Sequence, residues 1–133
     1  MWAETGSDLL RLFLICRKAA KMVARSAEMS VDEVHFLNLI NVERVSSVWK
    51  LREIVGLTPT RTSKILRSLE HDGYILRSIS QSDRRMELVS LTEQGSELAD
   101  KILTISHDVG KQLFGTPPSS METIQSRSLD ATD

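Results

Sequence analysis

The order of apolar and polar residues along the chain predicts a mainly helical protein with one β-hairpin. In several segments apolar residues recur every three or four positions, which is the spacing of one face of an α-helix. The segments predicted as helices on this basis are residues 7–28, 30–43, 47–56, 58–73 and 92–114. Two short apolar runs, residues 75–79 and 86–91, flank the polar stretch 80–85 and have the composition and spacing of a β-hairpin.

Capping residues mark the boundaries of these predicted helices. The side chains expected to accept hydrogen bonds from free backbone N–H groups at helix starts are those of Ser7, Ser30, Thr58 and Thr92. Ser30 and Glu33 together have the form of a capping box, and Pro59 follows Thr58 at a first helical position, where proline loses no hydrogen bond. Gly56 is suited to the left-handed residue that ends the third helix.

Length and composition favour a single globular domain. The chain has 133 residues, of which 41% are hydrophobic and 26% charged. The longest apolar run covers only residues 12–16, whereas a membrane span needs roughly 18 residues. Acidic Glu4 and Asp8 stand where a signal peptide carries positive charge, and Cys16 is the sole cysteine. We therefore expect a protein of the reducing cytoplasm without a membrane, a metal or a cofactor.

Charge is distributed unevenly along the chain. Residues 44–85 carry nine Lys/Arg and four Asp/Glu, whereas the other residues together carry eight Lys/Arg and fourteen Asp/Glu. A local excess of positive charge in a chain of net charge −1 indicates either a surface that faces a polyanion or an ordinary solvated basic face. The motifs within this segment must decide between the two.

The basic segment has the order of a winged helix-turn-helix. Two short helices are joined by a turn that contains Gly56, and the second helix is followed by the hairpin, or wing. This second helix, residues 59–71, would be the recognition helix, because side chains that can bind bases or phosphates lie opposite or beside its apolar stripe. These side chains are Thr60, Arg61, Ser63, Lys64 and Arg67. No acidic residue lies between Glu53 and Glu70, which favours DNA contact over a solvated face.

The tip of the hairpin carries arginines beside an acidic residue. Arginines at the end of a narrow hairpin fit a minor groove, whose negative potential attracts them. Asp83 would repel phosphate, but its carboxylate could hold Arg84 or Arg85 in one orientation. The alternative is an ordinary polar turn, because Ser82 and Asp83 are common turn residues.

Three separated elements carry a family resemblance. A Leu-Glu-x-x-Gly-x-Ile element covers residues 69–75, an Asp-x-Arg element covers 83–85, and a Leu-Thr-x-x-Gly element covers 91–95. In order and spacing they resemble the MarR family of bacterial transcriptional regulators, over roughly residues 29–114. The resemblance implies a homodimer that binds a pseudo-palindromic operator, usually as a repressor, and that a small ligand often releases. It also implies that Arg85 enters the minor groove and that Asp83 positions it.

The resemblance implies a division of the chain into three parts. These are an N-terminal dimerisation helix (1–29), a winged helix-turn-helix lobe (30–92), and a C-terminal dimerisation helix with a tail (93–133). The complete set of candidate DNA contacts is Thr58, Thr60, Arg61, Ser63, Lys64, Arg67, Arg77, Asp83, Arg84 and Arg85. A ligand pocket would lie between the dimer helices and the lobe. Weak candidates for its lining, for each of which a core role is favoured, are Met22, His35, Phe36 and Trp49.

The chain departs from the family pattern at two places. Residues 117–120 lead into a tail with few apolar residues, where family members usually have an apolar last helix. Thr62 stands on the apolar stripe where the family often has an apolar residue.

Other functions have less support in the sequence. A winged-helix module that binds an acidic protein is the alternative, although such a module has no need of Asp83 to orient Arg85. No motif of an enzyme is present, so we expect no catalytic activity. Cys16 lies on the apolar stripe of the first helix, and we expect a packed core residue there rather than a redox sensor.

Overall fold

The order of helices and strands is that of a helical protein with one hairpin. The computed structural model describes the backbone of residues 2–115 and the side chains of residues 6–115. Its elements in chain order are α1 (Trp2–Ala27), α2 (Val31–Asn41), α3 (Val48–Val55), α4 (Pro59–His71), β1 (Ile75–Ile79), β2 (Glu87–Leu91) and α5 (Glu93–Phe114). The predicted fold class is confirmed. The predicted tail, residues 116–133, lies outside the described residues.

Capping side chains set the starts of four helices. At α2 the capping box is complete, because Ser30 Oγ accepts from the Glu33 N–H at 3.2 Å and Glu33 Oε1 accepts from the Ser30 N–H at 3.1 Å. At α3, α4 and α5 the hydroxyls of Ser47, Thr58 and Thr92 each accept from the backbone N–H three residues further on, without a reciprocal bond.

The end of α3 and the start of α1 test two further sequence predictions. Gly56 ends α3 in the left-handed region at φ 76°, as predicted. The expectation that Ser7 caps α1 is wrong, because α1 begins at Trp2 and Ser7 lies inside the helix. Ala3 and Glu4 are good helix formers, and they extend the helix past the single serine.

Helix α2 lies at the centre of the core and contacts α1, α3, α4, α5 and β2. The largest completely buried side chains are those of Phe36, Leu37, Leu51, Leu66, Leu69, Ile75 and Ile102. The predicted inward stripe of α4 is confirmed, since Thr62, Ile65, Leu66 and Leu69 are all buried. The DNA-binding candidates of α4 are therefore carried on a helix whose opposite face is fixed in the core.

The hairpin is a two-stranded antiparallel sheet in which Ile75 pairs with Leu91 and Ile79 with Glu87. Strand β2 begins one residue later than predicted, because the Met86 N–H donates to the Asp83 carbonyl in the connecting turn at 2.9 Å. A bridge between Ser47 and Leu88 joins the hairpin to the start of α3. The wing is thus attached to the helix-turn-helix on both sides, through α3 and through α4.

The start of α5 is joined closely to the loop that follows α4. Thr92 Oγ1 donates to the Gly73 carbonyl at 2.6 Å, and the Thr92 N–H donates to the Tyr74 carbonyl at 3.1 Å. One turn later, Gly95 lies so close to Tyr74 that a Cβ on Gly95 would overlap the Tyr74 carbonyl. Only glycine fits this position in α5.

The N-terminal half of α1 has no partner within the described chain. Residues 6–18 are all exposed, and they include several large apolar side chains, namely Leu9, Leu10, Leu12, Phe13, Leu14 and Ile15. Cys16 is exposed as well, so the expectation that it packs in the core is wrong for the single chain. The reason is that α2 and α5 cover only the C-terminal part of α1, where Val23 and Ala24 are buried.

Candidate nucleic-acid interface

The outer face of α4 presents four polar or basic side chains to solvent. Thr60, Ser63, Lys64 and Arg67 are exposed, and they lie away from the buried stripe of the helix. In the described part of the chain, no ion pair or side-chain hydrogen bond engages Lys64 or Arg67. Both cations are therefore available to an anionic or hydrogen-bonding partner.

Thr58 and Thr62 use their hydroxyls within the first turn of α4. Thr58 Oγ1 accepts from the Arg61 N–H at 3.2 Å, so its side chain serves as the helix cap. The hydroxyl of the buried Thr62 donates to the Thr58 carbonyl at 2.9 Å. This hydrogen bond explains how a threonine is accommodated at a stripe position where the family resemblance anticipates an apolar residue.

Arg61, at the start of α4, is held by a residue of another helix. Its Nε and Nη2 atoms donate to Oδ2 of Asp32 at 3.3 and 3.2 Å. Asp32 lies in the first turn of α2, so the pair connects the N-terminal turns of two helices. The sequence contains no signal that singles out Asp32, because the pair spans 29 positions of the chain and an acidic residue in a first helical turn is ordinary.

At the wing tip the structure brings Asp83 and Arg85 together. The N–H and the Nε of Arg85 both donate to Asp83 Oδ1, at 3.0 and 3.2 Å. The Asp83 N–H donates in turn to Oγ of the buried Ser80 at 3.3 Å. Asp83 thus holds the backbone N–H and Nε of Arg85, while the Arg85 side chain as a whole remains 92% exposed to solvent.

The two other arginines of the hairpin have contrasting surroundings. Arg84 is exposed and makes no ion pair with any described residue. Arg77 on β1 is largely covered and donates from Nε to Glu87 on the paired strand. This hydrogen bond raises the pKa of Arg77 above its ordinary value, although burial acts in the opposite direction. Arg61 and Arg85 are paired as well, but the side chain of Arg77 is only 23% exposed, and this separates it from the other candidate contacts.

A small cavity of about 240 Å³ lies between α1, α2 and α5. Its lining includes Val23, Val34, His35, Ile102 and Ser106. Of the predicted lining residues, His35 is the one that the structure places here. Phe36 is completely buried in the core, whereas Trp49 is exposed.

The described residues provide neither a cluster of metal ligands nor a helix that could span a membrane. They contain no group of three His, Cys, Asp or Glu side chains that could bind a metal ion. None of their helices combines the length and the apolar character that crossing a membrane requires.

A family model described as the winged helix DNA-binding domain matches residues 31–106, which is more than half of the chain. The chain belongs to the winged helix DNA-binding domain family. The match runs from the start of α2 into α5 and includes the recognition helix, the wing and both partners of the Arg61–Asp32 pair. Membership of this family agrees with the expectation of a DNA-binding protein rather than an enzyme.

Solved structures of MarR-type regulators share the fold of this winged helix protein. A MarR-family transcriptional regulator from a Rhodococcus species is 18% identical with a TM-score of 0.76, covering 99% of this chain and 94% of that one. CouR from Rhodococcus jostii, bound to p-coumaroyl-CoA, is 20% identical with a TM-score of 0.74 and coverages of 96% and 90%. MarR from E. coli, in its apo form, is 14% identical with a TM-score of 0.70 and coverages of 90% and 91%. The resemblance to the MarR family is confirmed in the fold.

Proposed function

We propose that this winged helix protein is a sequence-specific transcriptional regulator that binds double-stranded DNA as a homodimer. The observation that carries the proposal is the tip of the hairpin that follows the recognition helix, where Asp83 accepts hydrogen bonds from Arg85 while the Arg85 side chain stays 92% exposed. A guanidinium presented in this way suits the narrow minor groove beside the major groove that α4 enters. In this arrangement Arg84 contacts the adjacent phosphates.

The exposed face of α4 supplies the major-groove contacts. Lys64 and Arg67 reach guanine edges or phosphates, and Thr60 and Ser63 bond bases or backbone oxygens. Arg61 joins them at the N-terminal end of the helix, which is the end that usually contacts base edges in this class of proteins. Thr58 contributes through its position at the cap, because its hydroxyl is already occupied within α4.

A homodimer is supported by the unpartnered apolar half of α1. Leu10 and Leu14 are each 64% exposed, and contiguous apolar surface of this kind marks an interaction site. We place α1, together with α5, in the dimer interface. Two recognition helices roughly 34–36 Å apart would then meet successive turns of a pseudo-palindromic operator.

Repression and release by a small molecule complete the proposal. One structural relative, CouR, is bound to p-coumaroyl-CoA, which shows that this fold can hold an organic ligand. In the present protein the cavity between α1, α2 and α5 is the candidate site for an effector. Its 240 Å³ is below the roughly 300 Å³ at which typical drug-sized pockets begin, so it suits a small molecule.

The deciding experiment selects bound duplexes from a library of random sequence and then footprints the protein on the enriched duplex. We expect an inverted repeat whose half-sites are protected one helical turn apart. Specific recognition would be contradicted if no sequence were enriched and the protein bound all duplexes equally at low salt. Absence of any DNA binding, combined with binding to an acidic protein, would instead favour the protein-interaction module.

A further inference from the structure

The ion pair between Arg61 and Asp32 lies at the end of α4 that faces DNA in the proposed function. The side chain of Arg61 is 57% exposed, whereas that of Asp32 is only 23% exposed. Both hydrogen bonds from Arg61 go to one oxygen of Asp32. The carboxylate is therefore the fixed partner, and the guanidinium retains a face toward solvent.

The identity of the donor atoms determines what Arg61 can still bind. A guanidinium has five N–H donors in a planar fork, and Asp32 engages the edge formed by Nε and Nη2. No described residue engages the other edge, formed by Nη1 and the second N–H of Nη2. Two parallel N–H groups on this edge match O6 and N7 of a guanine in the major groove.

We propose that Asp32 is a positioning residue that orients Arg61 so that the open edge of its guanidinium reads a guanine. The inference rests on the proposed function, because it assumes that α4 enters the major groove. Asp32 itself makes no contact with the base. It restricts the rotamers of Arg61 before DNA arrives, so that less conformational entropy is lost on binding.

Helix α2 makes Asp32 a suitable anchor. The capping box at Ser30 and Glu33 fixes the turn that carries it, and the following turn is held in the core by Phe36 and Leu37. The carboxylate is also favoured by the positive end of the α2 dipole. A negative charge near the DNA backbone weakens binding to every duplex, however. We therefore infer that Asp32 lowers the affinity for DNA in general and raises the preference for the selected sequence.

Replacing Asp32 tests this inference, with dissociation constants measured on the selected duplex and on a scrambled duplex at several salt concentrations. We expect Asp32→Ala to reduce the ratio of the two affinities by roughly tenfold, the value of one good base contact. Binding to the scrambled duplex should strengthen, and its log–log salt slope should steepen by about one unit if the released Arg61 contacts a phosphate. Glu53→Gln is the matched control, because it removes an exposed, unpaired carboxylate from α3 of the same lobe and should leave the ratio unchanged.

Two further measurements separate orientation from a general effect of charge. Duplex selection repeated with Asp32→Ala and with Arg61→Ala should lose the preference for guanine at the same position. In the Arg61→Ala background, Asp32→Ala should cause no additional loss of specificity. Asp32→Asn, which retains a neutral acceptor of the same shape, should give an intermediate ratio, and it carries the test if Asp32→Ala fails to fold.

The outcomes distinguish failure of this inference from failure of the proposed function. If the native protein selects a defined sequence and the Asp32 variants keep its affinity ratio and base preferences, Asp32 has no positioning role. If the native protein selects no sequence at all, the proposed function and this inference both fail.

Discussion

Arg85 donates two hydrogen bonds to a single carboxylate oxygen of Asp83, one from its backbone N–H and one from Nε. A pair this exposed contributes little to the stability of the fold. Its effect is to join the side chain of Arg85 to its own turn, which limits the directions that the guanidinium can take. In the proposed function the pair therefore serves DNA binding rather than folding.

Replacing Arg85 with alanine should weaken binding to the selected and the scrambled duplex alike. The minor groove offers a degenerate pattern of donors and acceptors, so Arg85 contributes affinity with little discrimination between bases. The log–log salt slope should fall in magnitude by about one unit, which titrations at several salt concentrations measure. Lys101→Ala, which removes an exposed cation from α5, is the control. An unchanged affinity and slope in Arg85→Ala would exclude a role of the wing in DNA binding.

Asp83→Ala should resemble a weaker form of Arg85→Ala. Loss of the carboxylate frees the Arg85 side chain, which lowers affinity, but it also removes a charge that repels phosphate, which raises affinity. In the Arg85→Ala background only the second effect remains, so there Asp83→Ala should strengthen binding. Affinities of both single variants and the double variant on the selected duplex provide this comparison. Identical effects of Asp83→Ala in the two backgrounds would show that Asp83 does not act through Arg85.

Arg77→Ala should destabilise the hairpin without changing the salt dependence of DNA binding. Arg77 is paired with Glu87 across the two strands, and removing it leaves a partly buried carboxylate without its partner. We expect the free energy of unfolding in urea to fall by about 1–2 kcal/mol. The exposed neighbour Ser78 on the same strand provides the control Ser78→Ala, which should change it little. A salt slope reduced by one unit would instead place Arg77 in contact with a phosphate.

Gly95→Ala should be among the more destabilising single substitutions in α5. The added Cβ would overlap the carbonyl of Tyr74, and overpacking of this kind costs about 1–3 kcal/mol. Gly110→Ala is the matched control, because, apart from the adjacent backbone of α5, no described atom lies within 4 Å of a Cβ at that position of the same helix. There alanine should stabilise by about 0.5–1 kcal/mol. Thermal unfolding of both variants measures the contrast, and equal shifts would contradict the close approach.

Phe13→Glu should convert the proposed dimer into a monomer that keeps its fold. Phe13 is 57% exposed in the single chain, so a charge there disturbs no intrachain core. A symmetric interface would contain two copies, and burying each phenyl ring contributes about 1.5–3 kcal/mol. We therefore expect the dimer dissociation constant to rise about a hundredfold or more in analytical ultracentrifugation. Arg11→Glu, on the other face of α1, is the control, and a native protein that sediments only at 15.0 kDa at micromolar concentration would refute the dimer.

Local signals in the sequence were sufficient for most of the fold. The capping box at Ser30, the Thr58-Pro59 start of α4 and the left-handed Gly56 are each decided by neighbouring residues, and each was predicted correctly. The start of α1 was predicted wrongly, because a serine such as Ser7 can either cap a helix or lie within one. The residues before Ser7 continue the helix to Trp2. The burial of Cys16 was also predicted wrongly, because helical periodicity identifies an apolar face but not the element that covers it.

The candidate interface was only partly accessible from the sequence. Asp83 and Arg85 are two positions apart, so a contact between them could be anticipated and the structure contains it. The partners of Arg61 and Arg77 lie 29 and 10 positions away, and only the packing of α2 against α4 and the strand register bring them close. No local pattern marks either contact.

The close contact between Gly95 and Tyr74 fixes the N-terminal end of α5 beside the winged helix lobe, so that any tilt of α5 would pivot there. A helix of 22 residues is about 33 Å long, so a rotation of about 5° at this contact moves its far end by about 3 Å. In a dimer joined through α1 and α5, such a tilt would change the separation of the two α4 helices and therefore their match to the pitch of DNA. In the proposed dimer, the spacing of half-sites that the protein accepts would thus depend on one carbonyl group and one missing side chain.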